Sequence, residues 1–574
     1  MNVDYRLPIP HLRRPWPVVE VGRWLGQTVA RLDLSRRRAP LGLSLAALGV
    51  SLAAAAPLLY VLVRASSASP EIWTRLWSSQ LPALLLNTVA LVVTTTCCAG
   101  ALGVALAWIV ERTDVPGRAA WRWILALPLA IPAYVLATCA LLLLRRGGLV
   151  DQLAQAFGAS AGQVPLPNLY TLGGATLIIS LSVFPYVYVP VAAALRSMNR
   201  SYEEAARMAG LGAWATFRTV TWPLILPSVL GGALLVSLCA LSDFGTVALL
   251  RYPTFTVAIY NQFTGHVDRS AAAVVSMGLI VLAVPLLAGE TWLGARRQRA
   301  QRTAIWKPQP PRLLGRWRWP AFACVAGVAL LAVGAPTLVL AGLTAQGLLF
   351  PTEVDRIWRV GGDSVWQYGL NSLLLAGAAA TLASVLALAP TYLAVRFPHP
   401  VAGLLLHICR LSYALPGLIV GLGFVMLFSQ LAPAIYGTVI ALMLGFILRL
   451  LPYAVSAGHA ALRAVPPSLE QAARVMGRRP LAAFWRITLP AAAPGLLGGW
   501  TLAFIAAMKE LPTAILLRPP GFDTLAVRIW AASSESVHTQ AAPPAFLLIV
   551  LTMIPLAWMY ARGSFGLTRV LNEQ

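Results

Sequence analysis

The stretch SYEEAARMAG at residues 201–210 returns as SLEQAARVMG at residues 468–477. The similarity continues without a gap over residues 201–251 and 468–518, in which 20 of 51 aligned positions are identical. Asp243 in the first copy aligns with Glu510 in the second, so both copies carry a carboxylate at this position. A repeat of this length indicates that one half was duplicated and fused. In an apolar chain, it predicts two similar membrane halves around a pseudo-two-fold axis.

The composition is that of a membrane protein, because 58% of the residues are hydrophobic and only 11% are charged. Apolar runs of twenty or more residues recur along the sequence, and each can cross about 30 Å of hydrocarbon as a helix. We predict an all-α polytopic membrane protein with about twelve transmembrane helices, six in each half. The predicted spans lie near residues 40–64, 83–110, 120–144, 171–195, 226–250, 270–293, 319–345, 367–395, 402–429, 435–458, 492–517 and 543–561.

Lys and Arg residues are distributed unevenly between the two sides of this topology. With a cytoplasmic N-terminus, the cytoplasmic segments carry 31 and the outward loops 10, while Arg410, Arg449 and Lys509 lie within spans. Because basic residues resist translocation, this predicts a multi-pass membrane protein with its N-terminus in the cytoplasm. The net charge of +24 is then a topology signal that favours anionic lipid head groups, and it gives no support to a nucleic-acid partner.

The chain divides into four predicted parts: a cytoplasmic basic tail (1–39), a first membrane half (40–293), a cytoplasmic linker (294–318) and a second membrane half (319–574). The linker is basic, contains prolines and has no acidic residue. Since it starts and ends in the cytoplasm, the two halves run parallel. Three further correspondences agree with the duplication: Leu86-Asn87 with Leu370-Asn371, Pro132 with Pro416, and Pro185-Tyr186 with Pro452-Tyr453.

Each copy of the repeat begins in a predicted cytoplasmic loop with a short helix-forming stretch, which ends at Gly210 or Gly477. A helix this short needs a surface to bind. We interpret it as a helix docked in a groove of a partner, with the glycine permitting close backbone approach and a Glu-to-Arg pair supporting the helix. The alternative is a loop helix lying on the membrane. The spacing i, i+4 and i+7 places two sets of residues each on one face: Glu203, Arg207 and Gly210, and Glu470, Arg474 and Gly477.

The order E-A-A, three residues, G, nine residues, I/V, one residue, L-P resembles the cytoplasmic motif in membrane subunits of binding-protein-dependent ABC importers. The two copies depart from it at Trp222, in place of leucine, and at Gln471, in place of glutamate. In that family the loop helix is a coupling helix seated in a cleft of an ATPase subunit. The resemblance thus implies two sets of ATPase-coupling residues: Glu203, Glu204, Ala205, Ala206, Arg207 and Gly210, and Glu470, Gln471, Ala472, Ala473, Arg474 and Gly477.

Residues 241–263 and 508–530 look like the corresponding parts of fused permeases from ferric-iron importers. Fused permeases for thiamine or for phosphonates share this layout, so these substrates stay open. Members of the family work with a homodimer of ATP-binding ABC subunits and with a periplasmic or extracellular substrate-binding protein. The resemblance implies that this chain is the membrane-spanning permease of such an importer, with ferric iron as the favoured substrate.

Other function classes find less support in the sequence. A P-loop needs a lysine after a glycine-rich turn, and neither Lys307 nor Lys509 has that setting, so ATP hydrolysis is expected from a separate subunit. An ion-gradient-driven secondary transporter is expected to place ionisable residues deep in several helices, whereas this chain has few. A membrane receptor or scaffold is a third reading. The six cysteines lie in predicted helices without metal-ligand spacing, and we expect neither a metal site nor a cofactor.

Asp243 and Glu510 are the candidate residues of a transport pathway. Each lies sixteen residues after a proline, Pro227 or Pro494, which is roughly 24 Å along a continuous helix and in the outer part of the membrane. A carboxylate in hydrocarbon costs about 2.5–3.5 kcal/mol, so each side chain is expected to face water or the bundle interior. We predict that the pair lines a cation route. The alternative is a charge at the level of the membrane interface or one paired internally, with Lys509 or Arg518 as possible partners.

Overall fold

The computed structural model describes residues 39–144, 147–158, 166–265, 268–300, 311–349, 359–360, 363–412, 416–535 and 537–561. The predicted basic tail, apart from Ala39, and linker residues 301–310 lie outside these ranges. The regular structure is almost entirely helical, with one antiparallel hairpin between Arg359–Val360 and Asp363–Ser364. The prediction of an all-α fold is confirmed.

The helices of the first half are Leu41–Ser66, Pro70–Ser79, Leu81–Arg112, Arg118–Ile124, Ala133–Leu144, Leu149–Ala156, Leu172–Val183, Pro185–Ser197, Arg200–Met208, Ala213–Thr216, Trp222–Ser242, Gly245–Leu249, Phe255–Thr264 and Arg269–Ala300. A 3-10 turn occupies Leu127–Ala130. The last helix extends past the predicted start of the linker at residue 294.

The helices of the second half are Arg318–Ala329, Ala335–Leu349, Val365–Arg396, Pro400–Leu411, Gly417–Leu431, Val439–Ala464, Pro467–Val475, Pro480–Ala483, Leu489–Met508, Pro512–Leu517, Leu525–Ser534 and His538–Ala561. Gly315–Trp317 is a 3-10 turn that leads into the first of them, and Leu330–Gly334 is a π-helical turn that links the first two. Two further π-helical turns occupy equivalent places in the repeat, Phe217–Thr221 in the first half and Phe484–Thr488 in the second.

Within the described residues, nine helices are long and apolar enough to cross a membrane, and up to eleven if each of two bent pairs counts as one span. The third predicted span of each half is broken, contrary to the expectation of continuous helices. In the first half the chain bends by 93° before Ala133. In the second, Pro400–Leu411 and Gly417–Leu431 are separate helices. Both breaks lie at the aligned prolines Pro132 and Pro416, which have no backbone N–H to donate.

The fifth predicted span of each half is also interrupted. The helix Trp222–Ser242 ends at Asp243 and a short helix, Gly245–Leu249, follows. In the second half Leu489–Met508 ends before Glu510, and Pro512–Leu517 follows. The prediction of continuous helices over 226–250 and 492–517 is therefore wrong from the two carboxylates onward, whereas the chain from Pro227 to Ser242 and from Pro494 to Met508 is helical as predicted. Non-helical backbone inside a membrane protein is tolerated where it lines a cavity or is buried in protein.

The two halves interlock through their first helices. Leu41–Ser66 packs against Val365–Arg396, Pro400–Leu411 and Gly417–Leu431 of the second half. Ser51 Oγ donates a hydrogen bond of 3.1 Å to the carbonyl oxygen of Leu405. In the second half, the helix Ala335–Leu349 contacts Ala133–Leu144 of the first half. One continuous apolar core thus contains buried residues from both halves.

Candidate functional site

The first loop helix, Arg200–Met208, is fixed to the protein through the carboxylate of Glu203. This side chain is only 2% exposed. Its Oε1 accepts a hydrogen bond of 2.9 Å from Thr221 Oγ1 and lies 3.3 Å from Nη2 of Arg112. Its Oε2 lies 3.9 Å from Nη2 of Arg312, in the last part of the linker. Glu203 thus connects the loop helix to one spanning helix, to the π-helical turn and to the linker.

The second loop helix, Pro467–Val475, is fixed in the same way through Glu470. Glu470 Oε1 accepts hydrogen bonds of 2.7 Å from Thr488 Oγ1 and 2.9 Å from Arg396 Nε. Its Oε2 accepts a hydrogen bond of 3.1 Å from the hydroxyl of Tyr392. Thr488 and Arg396 occupy the repeat positions of Thr221 and Arg112. The duplicated sequence therefore preserves a carboxylate, a threonine and an arginine at each loop helix.

These contacts correct the predicted docking face. Glu203 and Glu470 turn into the protein, whereas Arg207, Arg474, Gly210 and Gly477 are exposed. Glu203 therefore does not share an exposed face with Arg207. Among the other predicted coupling residues, Ala206 and Ala473 are buried, Ala205, Ala472 and Gln471 are exposed, and Glu204 is half-exposed and paired with Arg200.

Gly210 and Gly477 lie at the ends of the two loop helices, where the sequence places them, and both have a left-handed backbone conformation. Their φ angles are +82° and +81°, and no atom lies within 4 Å of a Cβ added to either residue. In the first copy the amide of Leu211 donates to the carbonyl of Ala206, and Arg478 donates to Ala473 in the second. This is the hydrogen-bond pattern of a helix that ends in a left-handed residue, which favours glycine.

Exposed apolar side chains occur at equivalent places around both loop helices. Tyr202 and Leu469, Met208 and Val475, and Trp214 and Leu481 are three aligned pairs, and all six residues are exposed. Large apolar side chains that recur together on a surface mark an interaction site. Each half therefore offers a similar apolar surface beside its loop helix, which here is named the loop-helix surface.

A cavity of about 300 Å³ lies between the two halves. The breaks in the third and fifth spans contribute to its wall, since Pro132 and Ala133 line it together with Asp243 and Glu510. Polar lining groups also include Tyr134, Tyr186 and Tyr453, Ser182 and Ser242, and Arg449 and Lys509. The structure thus brings the two predicted pathway carboxylates to one cavity.

Asp243 uses its carboxylate to cap the short helix that follows it. Oδ1 accepts hydrogen bonds from the amides of Thr246, at 3.0 Å, and Val247, at 3.3 Å. Oδ2 accepts a hydrogen bond of 2.9 Å from Thr246 Oγ1. Capping explains why the helix restarts after a break at this position. No cation pairs with Asp243 among the residues that the structure describes.

Glu510 caps its short helix through the equivalent threonine, since Oε1 accepts a hydrogen bond of 2.7 Å from Thr513 Oγ1. Its Oε2 lies 3.4 Å from Nε of Arg449. Glu510 therefore has an internal charge partner, Arg449, which is neither of the two partners considered from the sequence. Lys509 Nζ donates to the carbonyl oxygen of Leu129 at 2.6 Å, and Arg518 pairs with Asp523.

The two halves differ in charge around the cavity. Ser182 and Ser242 in the first half occupy the repeat positions of Arg449 and Lys509 in the second. Asp243 therefore has serines where Glu510 has an arginine and a lysine. The alignment of the two copies contains this difference, but only the cavity shows that all four positions meet at one site.

Tyr134 is a lining residue that the sequence analysis did not single out. Its side chain is 5% exposed, and its hydroxyl has no hydrogen-bond partner within the described structure. No periodicity or motif distinguishes this tyrosine from those in ordinary helix packing.

The described residues contain no group of three or more His, Cys, Asp or Glu side chains placed to hold a metal ion.

Comparison with known families agrees with the duplicated architecture. The model of the binding-protein-dependent transport system inner membrane component matches residues 99–299 and again residues 379–561. The chain belongs to this family. It is a fused permease subunit of an ABC-type import system, with one family domain in each half and multiple membrane spans. The resemblance inferred from the loop motif is confirmed.

The names of individual relatives refer to different substrates. A Fe(3+)-transport system permease protein of Haemophilus influenzae is 28% identical over 526 residues, which cover 91% of this chain and 98% of that protein. A molybdenum transport system permease protein of Escherichia coli is 31% identical over 208 residues, 35% of this chain and 88% of that protein. A thiamine transport system permease protein of Brucella suis is 29% identical over 283 residues, 48% and 49% of the two chains.

Proposed function

We propose that this permease translocates ferric iron across the bacterial inner membrane, with its N-terminus in the cytoplasm. The substrate is delivered by an external binding protein, and a homodimer of ATPase subunits supplies the energy. Support for iron comes from the ferric-transport relative, whose similarity extends over 91% of this chain and so covers both halves. The thiamine and molybdenum relatives match about half of the chain or less.

The proposed ATPase contacts are the two loop-helix surfaces. One lies in each half, as two identical ATPase clefts require, and each exposes three apolar side chains at aligned positions. A carboxylate ties each loop helix to the ends of spanning helices. Movement of an ATPase cleft would therefore be transmitted through Glu203 and Glu470 to the bundle, because a buried charged pair resists separation.

The single observation that carries the proposed pathway is the cavity that Asp243 and Glu510 share. Carboxylate and phenol oxygens are hard ligands, and hard ligands suit a small, highly charged cation. Within the described residues, no group of three or more His, Cys, Asp or Glu side chains is placed to hold a metal ion. The proposal is therefore transient contact during passage, without a tight site in the permease.

The test is uptake of radioactive ferric iron by vesicles that contain the assembled importer. The double variant Asp243→Asn, Glu510→Gln is expected to slow uptake at least tenfold, while it still purifies with the ATPase subunits and reaches the membrane. Glu71→Gln, at an exposed position of the helix Pro70–Ser79, provides a matched loss of a carboxylate outside both the cavity and the loop helices. Unchanged uptake in the double variant would contradict the pathway role and leave both carboxylates with a structural role only.

An oxyanion such as phosphonate is the second candidate substrate, and the cations Arg449 and Lys509 in the cavity favour it. Both cations already have partners, Glu510 for Arg449 and the carbonyl of Leu129 for Lys509. Deletion of the gene distinguishes the substrates. Ferric-iron uptake through the binding-protein route is expected to fall, whereas normal iron uptake with a new requirement for thiamine or phosphonate would assign a rival substrate.

A further inference from the structure

The last part of the linker lies against the first loop helix. The amide of Arg312 donates to the carbonyl of Arg112 at 2.8 Å, and the amide of Asp114 donates to the carbonyl of Arg312 at 3.2 Å. The guanidinium of Arg312 lies 5.9 Å from the ring of Trp108 and faces the buried Glu203. Linker residues 311–314 therefore act as a strap that joins the start of the second half to the coupling region of the first.

The second loop helix has an open groove of about 550 Å³ at the equivalent place. In the first half, a smaller cavity of about 180 Å³ remains beside the strap. Four lining residues of that cavity have aligned counterparts in the wall of the groove: Arg112 and Arg396, Glu203 and Glu470, Glu204 and Gln471, and Arg207 and Arg474. The same surface thus exists twice, but a described chain segment covers it only once.

The groove opens where the N-terminal tail joins the first helix. Pro40 and Leu43 line the groove together with Phe397. Ala39 and Leu43 pack on a small apolar cluster that includes Leu393. The strap at the first loop helix precedes the first helix of the second half, and the tail precedes the first helix of the first half. In each case the first helix crosses to the other half, so the pseudo-two-fold axis relates the tail to the strap.

We propose that tail residues Ser35 to Arg38 dock in this groove, as Pro311 to Leu314 dock on the first loop helix. Three consecutive arginines, Arg36 to Arg38, end two residues before Pro40. When Arg312 of the strap is left out, each of the two surfaces is lined by one more arginine than glutamate. The first has three arginines and two glutamates, and the second has two arginines and one glutamate. A surface with this balance accepts Arg312, so its copy accepts an arginine of the tail.

One difference makes the second contact weaker. Pro398 occupies the repeat position of Asp114 and has no amide to donate, so the backbone pairing around Arg312 can be copied only in part. The tail would be held by an arginine over the ring of Tyr392, as Arg312 lies over Trp108, and by the carboxylate of Glu470. This contact would join the tail to the coupling region of the opposite half.

Cysteine cross-linking of the full-length protein tests the docking. Arg37→Cys is combined with Gln471→Cys, or with the matched Glu204→Cys at the first loop helix, in a background with the six native cysteines replaced. A disulfide is expected with Gln471→Cys and not with Glu204→Cys. The pair Arg312→Cys with Glu204→Cys is the positive control. Equal cross-linking of the tail to both helices, or to neither, would overturn the proposal.

The rate of maleimide labelling of Gln471→Cys identifies the occupant of the groove. Replacing Arg36, Arg37 and Arg38 by serine is expected to raise this rate at least threefold, both in detergent and in lipid nanodiscs, and to leave labelling of Glu204→Cys unchanged. If anionic lipid instead slows labelling in both the parent and the triple variant, and detergent removes the effect, a lipid head group occupies the groove. An unchanged rate in every condition would show that nothing covers it.

Discussion

Single residues in the duplicated motif have two kinds of role, and only one is visible in the sequence. The aligned glycines Gly210 and Gly477 mark helix ends, as their sequence context predicts. The aligned carboxylates Glu203 and Glu470 look like surface residues, but Glu203 is buried, Glu470 is half-buried, and each accepts a hydrogen bond from a threonine eighteen positions further along. A contact over this separation leaves no local periodicity, so the sequence alone could not reveal it.

At the residue scale, Gly210→Ala and Gly477→Ala are each expected to destabilise the loop helix by about 1 kcal/mol. The cause is backbone strain at positive φ, because no atom would clash with the new Cβ. Gly212→Ala is the matched control, since Gly212 has a φ of −65° and equally open surroundings. Hydrogen exchange of the loop-helix amides measures the difference. Equal exchange in Gly210→Ala and Gly212→Ala would contradict the backbone explanation.

At the scale of elements, the sequence predicted where helices lie but not where they break. The predicted spans all fall on helices, because long apolar runs have few other solutions in lipid. The breaks in the third and fifth spans of each half were missed, and so was the 43° bend between Leu172–Val183 and Pro185–Ser197. Aligned prolines could have indicated those near Pro132 and Pro416, but Pro227 and Pro494 lie inside intact helices. The breaks at Asp243 and Glu510 depend on capping by these two carboxylates, which accept hydrogen bonds from Thr246 and Thr513. The two threonines resemble ordinary polar residues of a span until the helix has ended.

The break at Glu510 leads to a prediction about its partner. Glu510→Gln leaves Arg449 without its carboxylate in the cavity, and we expect a loss of stability on the order of 3 kcal/mol. Adding Arg449→Gln removes the unpaired charge and is expected to restore most of the loss. Thermal unfolding of the purified importer in detergent measures both effects. A double variant less stable than Glu510→Gln alone would show that Arg449 supports the fold independently of this pair.

At the scale of the whole molecule, the two fused halves also make extensive non-covalent contacts with each other. The first helix of each half packs on the opposite half, and the strap at residues 311–314 binds the first loop helix. Duplication, topology and family could be inferred from the sequence because they depend on repeated and apolar patterns. The shared cavity and the exchange of helices could not, because they depend on contacts between residues hundreds of positions apart.

This exchange predicts that the halves assemble without a covalent connection. Fragments 1–305 and 306–574, made in the same cell, are expected to purify together, because the exchanged helices bury apolar surface against the other fragment. Co-purification through a tag on one fragment measures assembly. Fragment 67–305, which lacks the helix Leu41–Ser66, is the matched control and should recover much less of its partner. Equal recovery with and without that helix would contradict the prediction.

Because the first helix packs on the second half, it reaches its final contacts only after the second half has been synthesised. Ser51 and its partner Leu405 are separated by 354 residues, which take roughly 20–70 s to synthesise at about 5–20 residues per second. During that interval the helix Leu41–Ser66 must remain inserted in the bilayer without its contacts to the second half. Its mean hydropathy of 2.1 makes this feasible, because every side of the helix can face lipid. The earliest part of the protein to enter the membrane is thus among the last to reach its final neighbours.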